Sequence, residues 1–132
     1  MIYLTAKMAG LTYAVPASEV KVVKTNCLKT RLVLWDSWAK GVLLEENSLV
    51  PIFDLSYLTG QQQEESQEIK AYIIYQAGEQ LIALAATELR AEIKITEEEY
   101  EQSEYMEEKH YHILHGEEDI LIPDDDIYEG TA

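Results

Sequence analysis

The sequence holds a single cysteine, Cys27, so no internal disulfide can form and a disulfide-stapled fold is excluded. It has no apolar run near the ~20 residues that a bilayer-spanning helix needs. The start, MIYLTAKMAG, lacks the charged opening and long apolar core of a signal peptide. Basic residues are scarce where acidic ones are dense. Residues 61–132 hold four Lys/Arg against twenty Asp/Glu, whereas residues 1–60 hold six against five. A net charge of −15 with that distribution argues against nucleic acid, which demands a basic face to displace counterions. It argues equally against anionic membrane surfaces. The chain also lacks a Ser-centred elbow, a phosphate-cradling glycine loop and a paired-glycine fingerprint. These absences predict a cytoplasmic protein that binds neither nucleic acid nor membrane.

What is present is globular. Hydrophobic residues make up 47% of 132 residues, enough for one domain or two small lobes with a real core. The grammar is that of short strands. MIYLTAK and LTYAV flank a turn at Met8-Ala9-Gly10, and Pro16 ends the second strand. EVKVVKT sets Val20 and Val22 against Lys21 and Lys24, the alternation of a half-buried strand. TRLVLWDSWAKGVLL reads as strand by composition, yet WDSWAKG also fits one helical turn closed by Gly41. VLL and LVPIFDL are joined by Glu45-Glu46-Asn47-Ser48 as a hairpin. Pro51 donates nothing to a ladder, so its strand lies at an edge or turns that side outward. DLSYLTG continues as one helical turn, with Leu55 and Leu58 on one face and Gly60 as the stop. Residues 61–68, QQQEESQE, form a polar linker between approximate lobes 1–60 and 61–132. Beyond it, IKAYIIYQ and QLIALAAT make another hairpin and LRAEIKI a strand with one wet face. Residues 97–109 carry seven glutamates and read as a solvated loop or frayed helix. HYHILHGEEDILIPDDDIYEG closes as strand, turn, strand and acid.

Several residues invite a chemical reading. His110 and His112 share one face of a strand, and with His115 or a glutamate they suggest a metal ligand set. That spacing is common by chance, and exposed strand residues are the plainer reading. Asp124-Asp125-Asp126 lacks the alternating ligands and turn glycine of a calcium loop. Asp54 in PIFDL is not followed by the small hydroxyl residue and glycine of an aspartic protease, and has no partner carboxylate in sequence. It reads as a cap for the turn that follows. Lys24 and Lys29 flank Cys27 and would favour its thiolate, yet the first half holds no histidine to act as base. Nothing here demands an enzyme.

The order of pieces is more telling. LTYAVPASEVKVV, then AKGVLLEENSLVPIFDLSYLTG, then KAYIIYQAGEQLIALAATELRAEIKI resembles the CheW-like domain, the adaptor domain of bacterial chemotaxis signalling. The resemblance spans about residues 1–128. Its strongest part is Gly41-Val42-Leu43 followed by Val50-Pro51-Ile52-Phe53-Asp54-Leu55, supported by Tyr13-Ala14-Val15-Pro16 and Val20. It implies an all-β fold of two small five-stranded β-barrels packed together, with short helical turns, no catalysis and no cofactor. It implies coupling of a chemoreceptor-like protein to a histidine kinase by protein–protein contacts, through one barrel's edge and the groove between barrels. The residues placed on that surface are Val20, Val22, Lys40, Gly41, Val42 and Glu46. The turn departs from the family's usual Asn-Leu-Arg-Gly. Here it is Leu44-Glu45-Glu46-Asn47, so Glu46 stands where an arginine is usual and Val22 where a glutamate is frequent. A carboxylate in that place changes which partner is admitted. Two other readings follow: an adaptor for type IV pilus motility or another regulatory kinase, and a small metal-dependent enzyme using His110, His112 and His115.

Overall fold

The computed structural model describes residues 1–25, 39–56 and 69–128, with 39–41 placed by their backbone. Cys27, residues 35–38 of WDSWAKG, Leu58, Gly60 and the linker 61–68 lie outside the described residues, while Ala39–Gly41 are strand and not the close of a helical turn.

Eleven strands run in chain order among the described residues: β1 Ile2–Met8, β2 Leu11–Pro16, β3 Val20–Thr25, β4 Ala39–Glu45, β5 Ser48–Phe53, β6 Ala71–Ala77, β7 Gln80–Ala86, β8 Glu88–Lys94, β9 Glu104–Met106, β10 His110–His115 and β11 Glu118–Pro123. The short helix α1, Glu97–Glu101, sits between β8 and β9. The strands form a six-stranded sheet, β8-β1-β2-β11-β10-β9, and a five-stranded sheet, β3-β6-β7-β5-β4. The expected all-β architecture of two packed units is therefore present. The first sheet carries a sixth strand that the sequence did not announce. Its source is the glutamate-rich stretch: Glu104–Met106 pairs with His110–His112.

The sheets do not divide the chain at its midpoint. β1 pairs with β8, and β2 runs parallel to β11 at Tyr13↔Leu121, so the two ends of the chain build one sheet. The middle builds the other, with β5 parallel to β7 at Ile52↔Ala83. Hairpin signals report neighbours in sequence, and these two parallel pairings are not neighbours. Pro51 lies on an interior strand, since β5 sits between β7 and β4. It faces Val42 of β4, and the pairing with β7 begins one residue later, at Ile52, so the missing N–H takes nothing from the β5–β7 ladder.

Each sheet curls. β3 and β4 are the outermost strands of the five-stranded sheet, yet Lys24 pairs with Glu45, and Lys21 Nζ lies 3.8 Å from Glu46 Oε2. The edges thus meet across a seam, as a barrel requires. The six-stranded sheet is bridged by Arg90 of β8 and Glu118 of β11 at 3.2 Å. Helix α1 plugs it. Thr96 and Glu99 form a reciprocal capping box, and Glu99 Oε2 also meets His115 Nδ1 of β10 at 2.6 Å.

Two apolar clusters result. Tyr3, Ala14, Ile95, Ile113, Ile120 and Ile122 fill the first sheet. A larger cluster joins Met8, Tyr13, Val15, Leu121 and Tyr128 to Val50, Phe53, Ile74 and Leu84, spanning both sheets. Strand β2 explains the connection: Leu11 to Val15 are all buried, so Ala14 points into one cluster while Tyr13 and Val15 point into the other. Tyr13 also donates its hydroxyl to the Ala85 carbonyl of β7 at 3.0 Å, a buried bond from sheet to sheet. Burial pushes the Tyr13 phenol well above its ordinary range, so it stays a neutral donor. Tyr13→Phe keeps the ring and removes this bond. It is expected to cost about 1 kcal/mol in urea unfolding, with an unchanged m-value.

Candidate partner-binding surface

The seam between β3 and the β4–β5 hairpin gathers the residues singled out by sequence. Val20 and Val22 lie on β3, half-buried and packed against the larger core, with a register irregularity between them in the pairing with β6. Both therefore serve the core as well as the surface. Lys40 and Gly41 lie on β4, where the ladder to β5 shifts register between Ala39 and Gly41. Val42 is half-buried opposite Pro51. Glu46 stands exposed at the hairpin tip.

The tip is a two-residue connection. Glu45 pairs with Ser48, leaving Glu46 and Asn47 between them with φ of 45° and 67°. Two successive positive φ values are what a type I′ turn requires, and its twist matches the flanking strands. Asn47 accepts that conformation readily; Glu46 does so against the steric clash of its Cβ. The carboxylates are not bare. Glu45 is held by Lys24, and Glu46 by Lys21 in an exposed pair that solvent weakens. The acid in place of the family's usual arginine is thus partly neutralised by the neighbouring strand.

The reading of sequence missed two side chains here. Leu44 and Leu49 face each other across the hairpin and are 53% and 69% exposed. Alternation in VLLE and SLVPIF carries the signal, because Leu43 and Val50 are buried and their neighbours must point outward. The pair forms an apolar step beside the charged tip.

Asp54, which follows β5, is buried, and its Oδ1 accepts from the Ser56 N–H at 3.0 Å and the Ser56 hydroxyl at 2.7 Å. This is the cap read from PIFDL. Between the two sheets an open groove of about 280 Å³ is lined by Pro16, Glu19, Tyr75, Gln76, Gly78 and Asp125, among others. Burial raises the Asp125 carboxyl pKa. The Gly78 backbone opposes the rise, and Asp124, Glu19 and Asp126 add to it by repulsion. Of the three histidines, His110 and His112 come together on β10, while His115 points to α1. Among the described residues, no three His, Cys, Asp or Glu side chains are grouped to hold a metal, and no helix is long and apolar enough to cross a membrane.

The sequence matches the CheW-like domain over residues 3–124, and the chain belongs to that family. Proteins of this family are non-catalytic scaffolds and adaptors of chemotaxis-type signalling. Among solved structures, the chain is similar to the scaffolding protein TtCheW from Thermoanaerobacter tengcongensis. The two are 15% identical, with a TM-score of 0.78 over 97% of this chain and 92% of that one. No curated protein matches the sequence.

Two measurements probe this geometry. Replacing Glu46-Asn47 by Asn-Gly relieves the strained position and is expected to raise stability by about 1 kcal/mol in chemical denaturation. For Asp125 the folded pKa is raised, so its ionisation disfavours the folded state as pH rises through that value. Asp125→Asn is expected to raise Tm at pH 7, with the gain vanishing in acid below the ordinary Asp pKa of about 3.9, where both forms are neutral.

Proposed function

We propose that this chain is a cytoplasmic adaptor that couples a chemoreceptor-like protein to a histidine kinase, docking through the β3/β4–β5 seam of the five-stranded sheet. The observation that carries the reading is the exposed Leu44–Leu49 pair beside Glu46, in a chain that belongs to the CheW-like domain family. An apolar centre with a charged rim is how such interfaces combine affinity with choice of partner. The proposed surface takes in Val20 and Val22 of β3 and Lys40, Gly41 and Val42 of β4, the two strands that meet at the seam. At Gly41 an added side chain would hold a partner's backbone away.

Glu46 also supports a second destination. A carboxylate at the tip favours a partner with a basic patch, so the kinase or receptor served belongs to a pathway other than flagellar chemotaxis, such as type IV pilus motility. Capture from the native cell extract separates the two. Recovery of a chemoreceptor together with a chemotaxis kinase supports the first; recovery of pilus-type components supports the second.

The surface itself is tested with Leu49→Arg and Gly41→Arg, each checked for an unchanged circular dichroism spectrum. Leu49→Arg is expected to weaken partner binding at least tenfold, about 1.4 kcal/mol, with Tm unchanged. Full binding by both variants would remove the seam from the interface.

A further inference from the structure

On β10, His110 and His112 present their Nε2 atoms to each other at 3.2 Å. Alternation puts both rings on the strand face opposite Ile113, which points into the smaller core cluster. His110 is buried, at 3% exposure, while the His112 side chain keeps 27% of its surface open to solvent. The contact is demanding. Only one proton fits between the two nitrogens, so one ring offers a lone pair to the other.

The neighbours organise the pair. Asp119 faces Leu114 across the β10–β11 ladder and reaches diagonally to His112, its oxygens 3.2 and 3.3 Å from Nδ1. A carboxylate accepts a hydrogen bond there, which places the His112 proton on Nδ1 and leaves a lone pair on Nε2. This is the carboxylate–histidine arrangement that orients and strengthens a metal-binding imidazole. The separation fits as well. Two nitrogens at about 2.0–2.1 Å from a tetrahedral zinc ion stand about 3.3 Å apart. On β9, Glu104 stands opposite His112 in register.

We propose that His110 and His112 form a two-imidazole chelate for a divalent transition ion of the zinc, copper or nickel type. Asp119 acts as the positioning residue, and water completes the coordination. The ion takes the place of the proton shared by the two Nε2 atoms. It sits on β10 of the six-stranded sheet, on a sheet other than the one that carries the partner seam. Imidazole ligation distinguishes this site from the general attraction of an acidic surface for cations.

Zinc titration by calorimetry, in a large excess of Mg²⁺ to occupy surface carboxylates, reads the site directly. The full chain is expected to bind one Zn²⁺ and to gain thermal stability from it. His112→Ala removes one ligand from a half-exposed position and is expected to abolish that binding. Asp119→Asn keeps both imidazoles and is expected to weaken it at least about tenfold. His115→Ala, on the opposite face, leaves it unchanged. An absence of saturable zinc binding by the full chain overturns the proposal. So does zinc binding that survives intact in a folded His112→Ala variant.

Discussion

The architecture depends on strands that are buried on both faces. A sheet in a small protein ordinarily turns one face to water, and its strands alternate accordingly. Here β2 and β7 cannot do so. Leu11 to Val15 and Ile82 to Ala86 are buried without a break, because each strand lines its own curled sheet and also packs against the other sheet. The Tyr13 hydroxyl reaching the Ala85 carbonyl lies at the point where these two strands approach. A polar group is tolerated there because it finds a backbone acceptor, and it fixes how the sheets sit. Behind it, Tyr75 and Tyr128 share a hydrogen bond of 2.5 Å between β6 and the turn after β11, closing the same junction from the chain's end. The small residues of β7, Ala83, Ala85 and Ala86, allow this closeness; larger side chains would part the sheets.

The inner strands are committed to the core, and the outer strands keep an unpaired edge. In the five-stranded sheet these are β3 and β4, the strands that meet at the Lys24–Glu45 and Lys21–Glu46 pairs. Bare strand edges invite uncontrolled pairing, and charge on them is a standard protection. The seam therefore has two tasks. Its ion pairs close the barrel and shield the edges, while the turn they hold presents Leu44 and Leu49 to solvent. The acid at Glu46 is part of the same economy, since its lysine comes from the facing strand rather than from a partner.

Local grammar made most strands legible. Hairpins at Ala9-Gly10, Glu46-Asn47 and Gly78-Glu79 carry their own turn residues, and alternation in EVKVVKT and LRAEIKI marks half-wet strands. Asp54 was readable as a cap because its partner lies two residues away. Three things were not readable. The parallel pairings β2–β11 and β5–β7 join segments far apart in sequence, so the chain looked divided at its middle when its two ends share a sheet. Strand β9 is too short and too acidic to announce itself; it exists because Tyr105 packs on Tyr111 across the ladder. The closeness of His110 and His112 could be suspected from spacing, but their shared contact and the reach of Asp119 arise only from the β10–β11 register.

The acidity of the second half also takes on a definite shape. Its carboxylates are not one undivided cloud. Glu99 is spent on the capping box and on His115, Glu118 on Arg90, and Asp119 on His112. Each of these acids pins a residue of the six-stranded sheet, and what remains is exposed charge around it. Repulsion among those exposed groups disfavours compaction; at Asp125, where burial is the main cause of the raised pKa, the charges of Asp124, Glu19 and Asp126 add to it. The apolar junction between β2 and β7 must outweigh that repulsion. The charge asymmetry of the chain is thus carried by a fold whose packing is closest where the two halves of the sequence interleave.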